Sequence, residues 1–258
     1  MSDPVASIHP DAQIGKNVKI DPFASIQGDV VIGDNTWIGS GAVIMDGTRI
    51  GNHCEIFPGA VIGAKPQDLK FDGEYTTVEI GNNTSIREFV TIHRGTVDRD
   101  KTVVGHNCLL MAYVHVAHDC IVGDNVVIAN GTQLAGHVVL EDWVVLEGMV
   151  GVTQFLRIGA HSFVGGGCLV RKNVPPFIKA AREPLSFVGV NVVGLRRRGF
   201  SDTQIQQIED IYRIVYVQNS NITSAMKILD MEMPPSKEKD LVISFIKSST
   251  KGIVRGLS

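Results

Sequence analysis

Residues 8–63 read IHPDAQIGKNVKIDPFASIQGDVVIGDNTWIGSGAVIMDGTRIGNHCEIFPGAVIG, with isoleucine at every sixth position from Ile8 through Ile62. An α-helix repeats its faces every three or four residues, so a period of six is not helical. The phase resumes at Ile80, Ile86 and Ile92, and again from Val104 to Val170. Between positions 8 and 170, 25 of the 28 in-phase sites are Ile, Leu or Val, where a 44% apolar composition would place about twelve apolar residues. The exceptions are Asp68, Glu74 and Asp98.

The rest of each hexad is equally regular. Glycine follows the anchor at Gly15, Gly33, Gly39, Gly51, Gly63, Gly81, Gly105, Gly123, Gly159 and Gly165. Asparagine recurs three places after it, at Asn17, Asn35, Asn83, Asn107 and Asn125. Both residue types tolerate left-handed backbone angles, so each hexad carries its own turn. Four places after the anchor the residue is small, as at Ala24, Ala42, Ala60, Thr36 and Thr84. Anchor and small residue both point inward from a short strand and corner. Three hexads close a triangular coil, and coils stack at the ordinary strand spacing of ~4.8 Å. The pattern predicts a mainly β protein, a left-handed parallel β-helix. All four cysteines, Cys54, Cys108, Cys120 and Cys168, fall in the small inward register, which argues against disulfide, metal or nucleophile roles.

Composition narrows the function classes. A net charge of −3 over 258 residues removes any whole-chain argument for nucleic-acid binding. No apolar run approaches the ~18 residues that span a bilayer. MSDPVASIHP lacks the layout of a signal peptide.

Two stretches, 63–79 and 93–103, break the rhythm while keeping the phase, and read as loops thrown out at corners. The predicted domains are a β-helix over 1–195 and a C-terminal α-helical domain over 196–258. In the latter, Ser201 and Gln204 form a capping box. Ile205, Ile208, Tyr212 and Val215 then line one helical face. A second helix is expected near 222–231, and a third from Pro234-Pro235-Ser236 to about Gly252. Between 171 and 198 stand seven basic residues, including Arg171, Lys172, Arg197 and Arg198, against the single acid Glu183. This segment reads either as a solvated surface or as a docking patch for an acidic protein or phosphates.

The hexad phase also places the histidines. His118 stands two places after its anchor, His137 three, and His115 on the outward face of its strand. One coil above His118 lies Gly136, with His137 beside it. Three imidazoles are therefore expected on one outer edge. The loop bearing Lys70 leaves on the same edge two coils earlier, and Gln154 stands two coils later. A histidine with no serine neighbour and every cysteine in the core points to a general base acting on a substrate hydroxyl. Zinc held by His115, His118 and His137 is the rival arrangement. A coenzyme-A-dependent acetyltransferase and a non-catalytic solenoid scaffold also fit the repeat.

The runs QDLKFDGEYT (67–76), IREFVTIHRGT (86–96), LLMAYVHVAHDC (109–120), LAGH (134–137) and GLRRRGF (194–200) resemble the UDP-N-acetylglucosamine acyltransferases of lipid A biosynthesis, over essentially the whole chain. That resemblance implies a cytoplasmic homotrimer. It would transfer a long 3-hydroxyacyl group from acyl carrier protein to the sugar 3-position, with the carrier thioester as co-substrate and no metal or other cofactor. His118 matches the base and Gly136 the oxyanion glycine. Gln67, Asp68, Leu69, Lys70, His115, His137, Gln154, Asn191 and Arg197 match substrate-binding positions, and Gly166 the acyl-chain ruler. Gly166 is expected beyond the His118 edge, toward the C-terminal end of the prism. Asp119 is the candidate to orient His118. Thr153 and Val193 depart from the residues common in the family.

Overall fold

The computed structural model describes residues 5–218 and 221–256. Short strands, mostly of two residues, form three sheets of nine, eight and ten strands, here sheets I, II and III. Successive strands pass from I to II to III and back, and each pairs in parallel with the strand one coil away. Ser25 thus lies beside Val43, and Ile26 beside Ile44. The architecture is the left-handed parallel β-helix that the hexads predict, followed by an α-helical C-terminus.

The core is a narrow column. Ile38, Ile44, Ile56, Ile62, Ile86, Leu110 and Leu134 are fully buried, with Ala42, Ala60, Cys54, Thr36 and Thr84 filling the space between them. Burying each isoleucine contributes roughly 1.5–3 kcal/mol. At the N-terminal mouth of the described prism the same register leaves Ile8 and Ile14 exposed. The cysteine thiols are buried, and Cys54, Cys108 and Cys120 donate to backbone carbonyls. Burial pushes Cys108 up to about 11 and Cys120 up to about 12, which removes them as nucleophiles.

The corners are built by side chains as well as by turns. Asn17, Asn35, Asn83, Asn107 and Asn125 take the left-handed conformation expected of them. Along the II–III corner a ladder then ties coil to coil. The amides of Lys16, Asp34, Asn52, Asn82, His106 and Asp124 donate in turn to the side chains of Asp34, Asn52, Asn82, His106, Asp124 and Asp142, each at 2.7–2.9 Å.

Both breaks in the rhythm are loops, and both leave the I–II corner. They are shorter than 63–79 and 93–103. Strands Val61–Ala64, Thr77–Ile80, Thr91–His93 and Lys101–Val104 extend into them, because Thr77–Ile80 and Lys101–Val104 pair with each other along their full length. The loops proper are 65–76 and 94–100.

The prism ends in a hairpin that departs from the hexad pattern. Ile178–Ala181 adds in parallel to Phe163–Val164 and turns back as an antiparallel hairpin with Ser186–Val190. A short helix α1 (Val192–Arg197) follows and spans the 195/196 boundary drawn from sequence. Helices α2 (Asp202–Arg213), α3 (Ile222–Glu232) and α4 (Lys237–Lys247) follow, α2 beginning at the Ser201–Gln204 capping box and running on into a π-turn at Ile214–Gln218, and α4 stopping short of Gly252 where the chain returns to bridge Asn173 and Ser186. Ile205, Ile208, Tyr212 and Val215 are buried as predicted, and the Tyr212 hydroxyl donates to the Pro176 carbonyl at 2.6 Å, locking α2 onto the last coil. Among the described residues no helix is long and apolar enough to cross a membrane.

Candidate active site

Val116 is an inward anchor of sheet I, so the chain turns the I–II corner at His118. Asp119 takes the left-handed conformation there (φ +60°), and its side chain folds back beneath the imidazole. His118 Nδ1 and Asp119 Oδ2 are 2.7 Å apart. With the carboxylate ionised, Nδ1 carries the proton and Nε2 is left as the base. Asp119 is fully buried. Burial alone would raise its carboxyl pKa, but bonds from His118 and from the Thr96 amide and hydroxyl outweigh it and hold the group below the ordinary carboxylate range.

One coil above, Gly136 passes so close to the His118 ring that an added Cβ would lie 2.7 Å from both Cε1 and Nε2. Among the described residues the Gly136 N–H has no hydrogen-bond partner. His137 lies edge-on to His118, 5.3 Å between centroids, and stacks on Phe155 at 4.5 Å. Its Nε2 is 3.6 Å from Asp119 Oδ2 and 3.7 Å from Asp98 Oδ2. His115 bonds through Nδ1 to the Thr91 hydroxyl at 2.7 Å and lies edge-on to His93 at 4.8 Å. Burial lowers the pKa of both His115 and His137, and takes His93 down to about 4, with His115 and His118 adding to the effect on His93.

His118, Asp119 and His137 present atoms close enough to share a metal ion. The donor set argues for another use. Asp119 Oδ1 accepts from the Thr96 amide, and Oδ2 accepts from the Thr96 hydroxyl and His118. Among the described residues His115 is outside this group.

The remaining predicted residues scatter over the prism. Gln154 stands in the His118 column, exposed, beside Phe155. Gln67, Leu69 and Lys70 are exposed at the tip of the loop 65–76, with Asp68 partly covered and its carboxylate bonded to the Lys70 amide. Phe71 roots that loop, buried beneath the Lys65 and Arg94 cations. Asn191 is buried at the II–III corner, where it caps α1 and donates to the His161 carbonyl at 2.9 Å. Arg197 is exposed on α1. Gly166 requires a correction. It follows the sheet III strand Phe163–Val164 and turns the III–I corner, because it is not a whole number of 18-residue coils from His118. Three corners of one chain thus each carry part of the predicted site.

Residues 173–254 match the profile for domain 2 of UDP-N-acetylglucosamine O-acyltransferases, and 11–36, 29–64 and 101–136 match bacterial transferase hexapeptide repeats. The acyl-[acyl-carrier-protein]–UDP-N-acetylglucosamine O-acyltransferase of Burkholderia mallei is 42% identical over 199 residues, 75% of this chain and 76% of its own. This chain belongs to the UDP-N-acetylglucosamine O-acyltransferase family. The crystal structure of the Bacteroides fragilis acyltransferase shares 48% identity and a TM-score of 0.95, covering 99% of this chain and 100% of its own. That of Francisella novicida shares 37% and 0.94, covering 97% and 92%.

Within this acyltransferase fold, Thr153 is exposed and its hydroxyl donates to the Val170 carbonyl of the next coil at 3.1 Å, while Val193 is exposed on α1. Sequence reasoning missed Thr91, His93, Thr96 and Arg99. Their signal was present, since Ile92 lies one coil before Val116 and the second loop must leave beside His118.

Proposed function

We propose that this acyltransferase moves a long 3-hydroxyacyl group from acyl carrier protein to the 3-position of UDP-N-acetylglucosamine, the first step of lipid A biosynthesis, in the cytoplasm. The observation that carries the mechanism is the His118–Asp119 pair set against Gly136. Asp119 holds Nδ1–H, so Nε2 accepts the proton of the sugar hydroxyl. The resulting alkoxide oxygen attacks the thioester carbonyl. The oxyanion is stabilised by the Gly136 N–H, a donor with no competing partner among the described residues. Collapse expels the carrier thiolate, which takes the proton back from His118. The reaction needs no metal, no other cofactor and no covalent enzyme intermediate.

The partners follow from the same arrangement. Lys172, Arg182 and Arg197 carry no ion pair among the described residues, whereas Arg171 is paired with Glu183 and Arg196 with Asp202. The unpaired cations suit an acidic carrier protein and a nucleotide diphosphate. His115, His137, Gln154, the segment Gln67–Lys70, Asn191 and Arg197 are assigned to the UDP-sugar, and Gly166 to the end of the acyl chain. Because these lie on different corners, the site is completed by neighbouring copies in a homotrimer.

Mass spectrometry of products from a panel of acyl-carrier thioesters and UDP-sugars, a 3-amino sugar included, tests the reading. A long 3-hydroxyacyl product on UDP-N-acetylglucosamine, lost in His118→Ala and unchanged by chelator, is expected. Transfer from coenzyme A alone, substantial turnover by His118→Ala, or inactivation by chelator would overturn it. Gly166→Met should shift the donor preference to shorter chains.

A further inference from the structure

The loop 94–100 leaves the prism at the same corner as His118, one coil earlier. Within it, Thr96 is 5% exposed, and both of its donors converge on one carboxylate. The Thr96 amide donates to Asp119 Oδ1 at 2.9 Å and its hydroxyl to Oδ2 at 2.7 Å. Oδ2 is also the atom that holds His118 Nδ1. The Arg99 guanidinium donates to the Asp119 carbonyl at 2.8 Å and fixes the main chain beneath. The hydroxyl oxygen accepts the local Asp98 amide at 3.4 Å, but its proton does not stay within the turn. Here it reaches 23 residues along the chain to a fully buried carboxylate.

We propose that Thr96 is a positioning residue for the acyl transfer, acting through Asp119 to set the orientation and basicity of His118. The inference rests on His118 being the base. Its hydroxyl shares the Asp119 charge with His118. Remove that donor, and the carboxylate draws the imidazole proton more strongly. The other groups facing the pair are His137 and Asp98, the Arg99 guanidinium, His93 on the preceding coil, His115 on the strand that leads into His118, and the Cys120 thiol next in the chain. None of them replaces a donor at Oδ2.

The test is the pH profile of kcat and kcat/KM for the wild type, Thr96→Val, Thr96→Ser and His118→Ala, with thermal unfolding of each. Thr96→Val keeps the shape and the amide but loses the hydroxyl. It should lower plateau kcat on the order of 10- to 100-fold. It should also move the acidic limb to higher pH by about one unit, the equivalent of one hydrogen bond to a charged group. Thr96→Ser, which keeps the O–H, should restore both. A Thr96→Val enzyme that only melts earlier, with its acidic limb unmoved, would overturn the inference, as would a Thr96→Ser enzyme that behaves like Thr96→Val. An active His118→Ala would instead sink the reading of His118 as base, so the two failures are distinguishable.

Discussion

At Gly136 the active site depends on the absence of one methyl group. Its backbone angle is ordinary, so alanine adds no conformational strain there. The added Cβ would nevertheless stand 2.7 Å from the His118 ring. The ring would have to tilt and give up its 2.7 Å bond to Asp119. Gly136→Ala should therefore fold normally and lose about 10²-fold or more in kcat. Steady-state kinetics beside a melting curve checks this, and near-wild-type turnover would show that the close approach has no catalytic consequence. Asp119 and His137 illustrate the opposite demand. Each occupies a left-handed corner position where asparagine or glycine usually stands, and gains a position against the His118 ring in return.

Among the elements, the II–III corner shows how a stack of two-residue strands is held together. In that ladder His106 stands where other coils use Asp or Asn, and its Nδ1 accepts the Asn82 amide at 2.9 Å. A protonated imidazole has no acceptor. His106→Ala should lower stability by about 1 kcal/mol, and His106→Asn should recover most of the loss. Urea unfolding midpoints decide it, and equal midpoints for the wild type and the alanine variant would mean that solvent replaces the bond at no cost. The helices α2 and α4 were legible because their starts carry caps, Ser201 and Ser236, and their apolar residues keep helical spacing. The hairpin Ile178–Ala181 and Ser186–Val190 was not, because its strands pair with each other and with the prism end rather than with a repeated hexad.

For the whole molecule, one buried and one half-buried histidine tie stability to pH. Burial holds His93 and His161 at about 4, with neighbouring positive charge from His115 and His118 on the first and from Arg198 on the second. In the unfolded chain each titrates near 6.5. Above that value both states are neutral and nothing is lost. As pH falls from 6.5 toward 4 the unfolded chain takes up protons that the native one refuses, so stability drops, by about 3 kcal/mol at most for each histidine. Denaturation midpoints across this window should fall, and His161→Gln should flatten the fall; a flat wild-type profile would show that the native sites open to admit the proton. Light scattering should give a trimer at working concentration, because His118, Gly166 and Asn191 stand on different corners of one prism. A monomer with full activity would contradict it.

Sequence alone determined the coil, its three-sheet cross-section, the inward and outward positions and the column His118–Gly136–Gln154. A strict period of six leaves no other arrangement in which every anchor is buried, and local geometry propagates from hexad to hexad. It also carried the resemblance that the comparisons bear out. Tertiary structure decided what the period does not encode. The register of the loop 94–100 brings Thr96 under Asp119, and no spacing rule governs a segment outside the repeat. The side-chain fold-back of Asp119 onto His118 depends on that loop. The corner on which Gly166 stands, and the capping of α1 by Asn191, follow from how the last coils meet the hairpin and helices, where contacts between distant parts of the chain replace the repeat as the organising force.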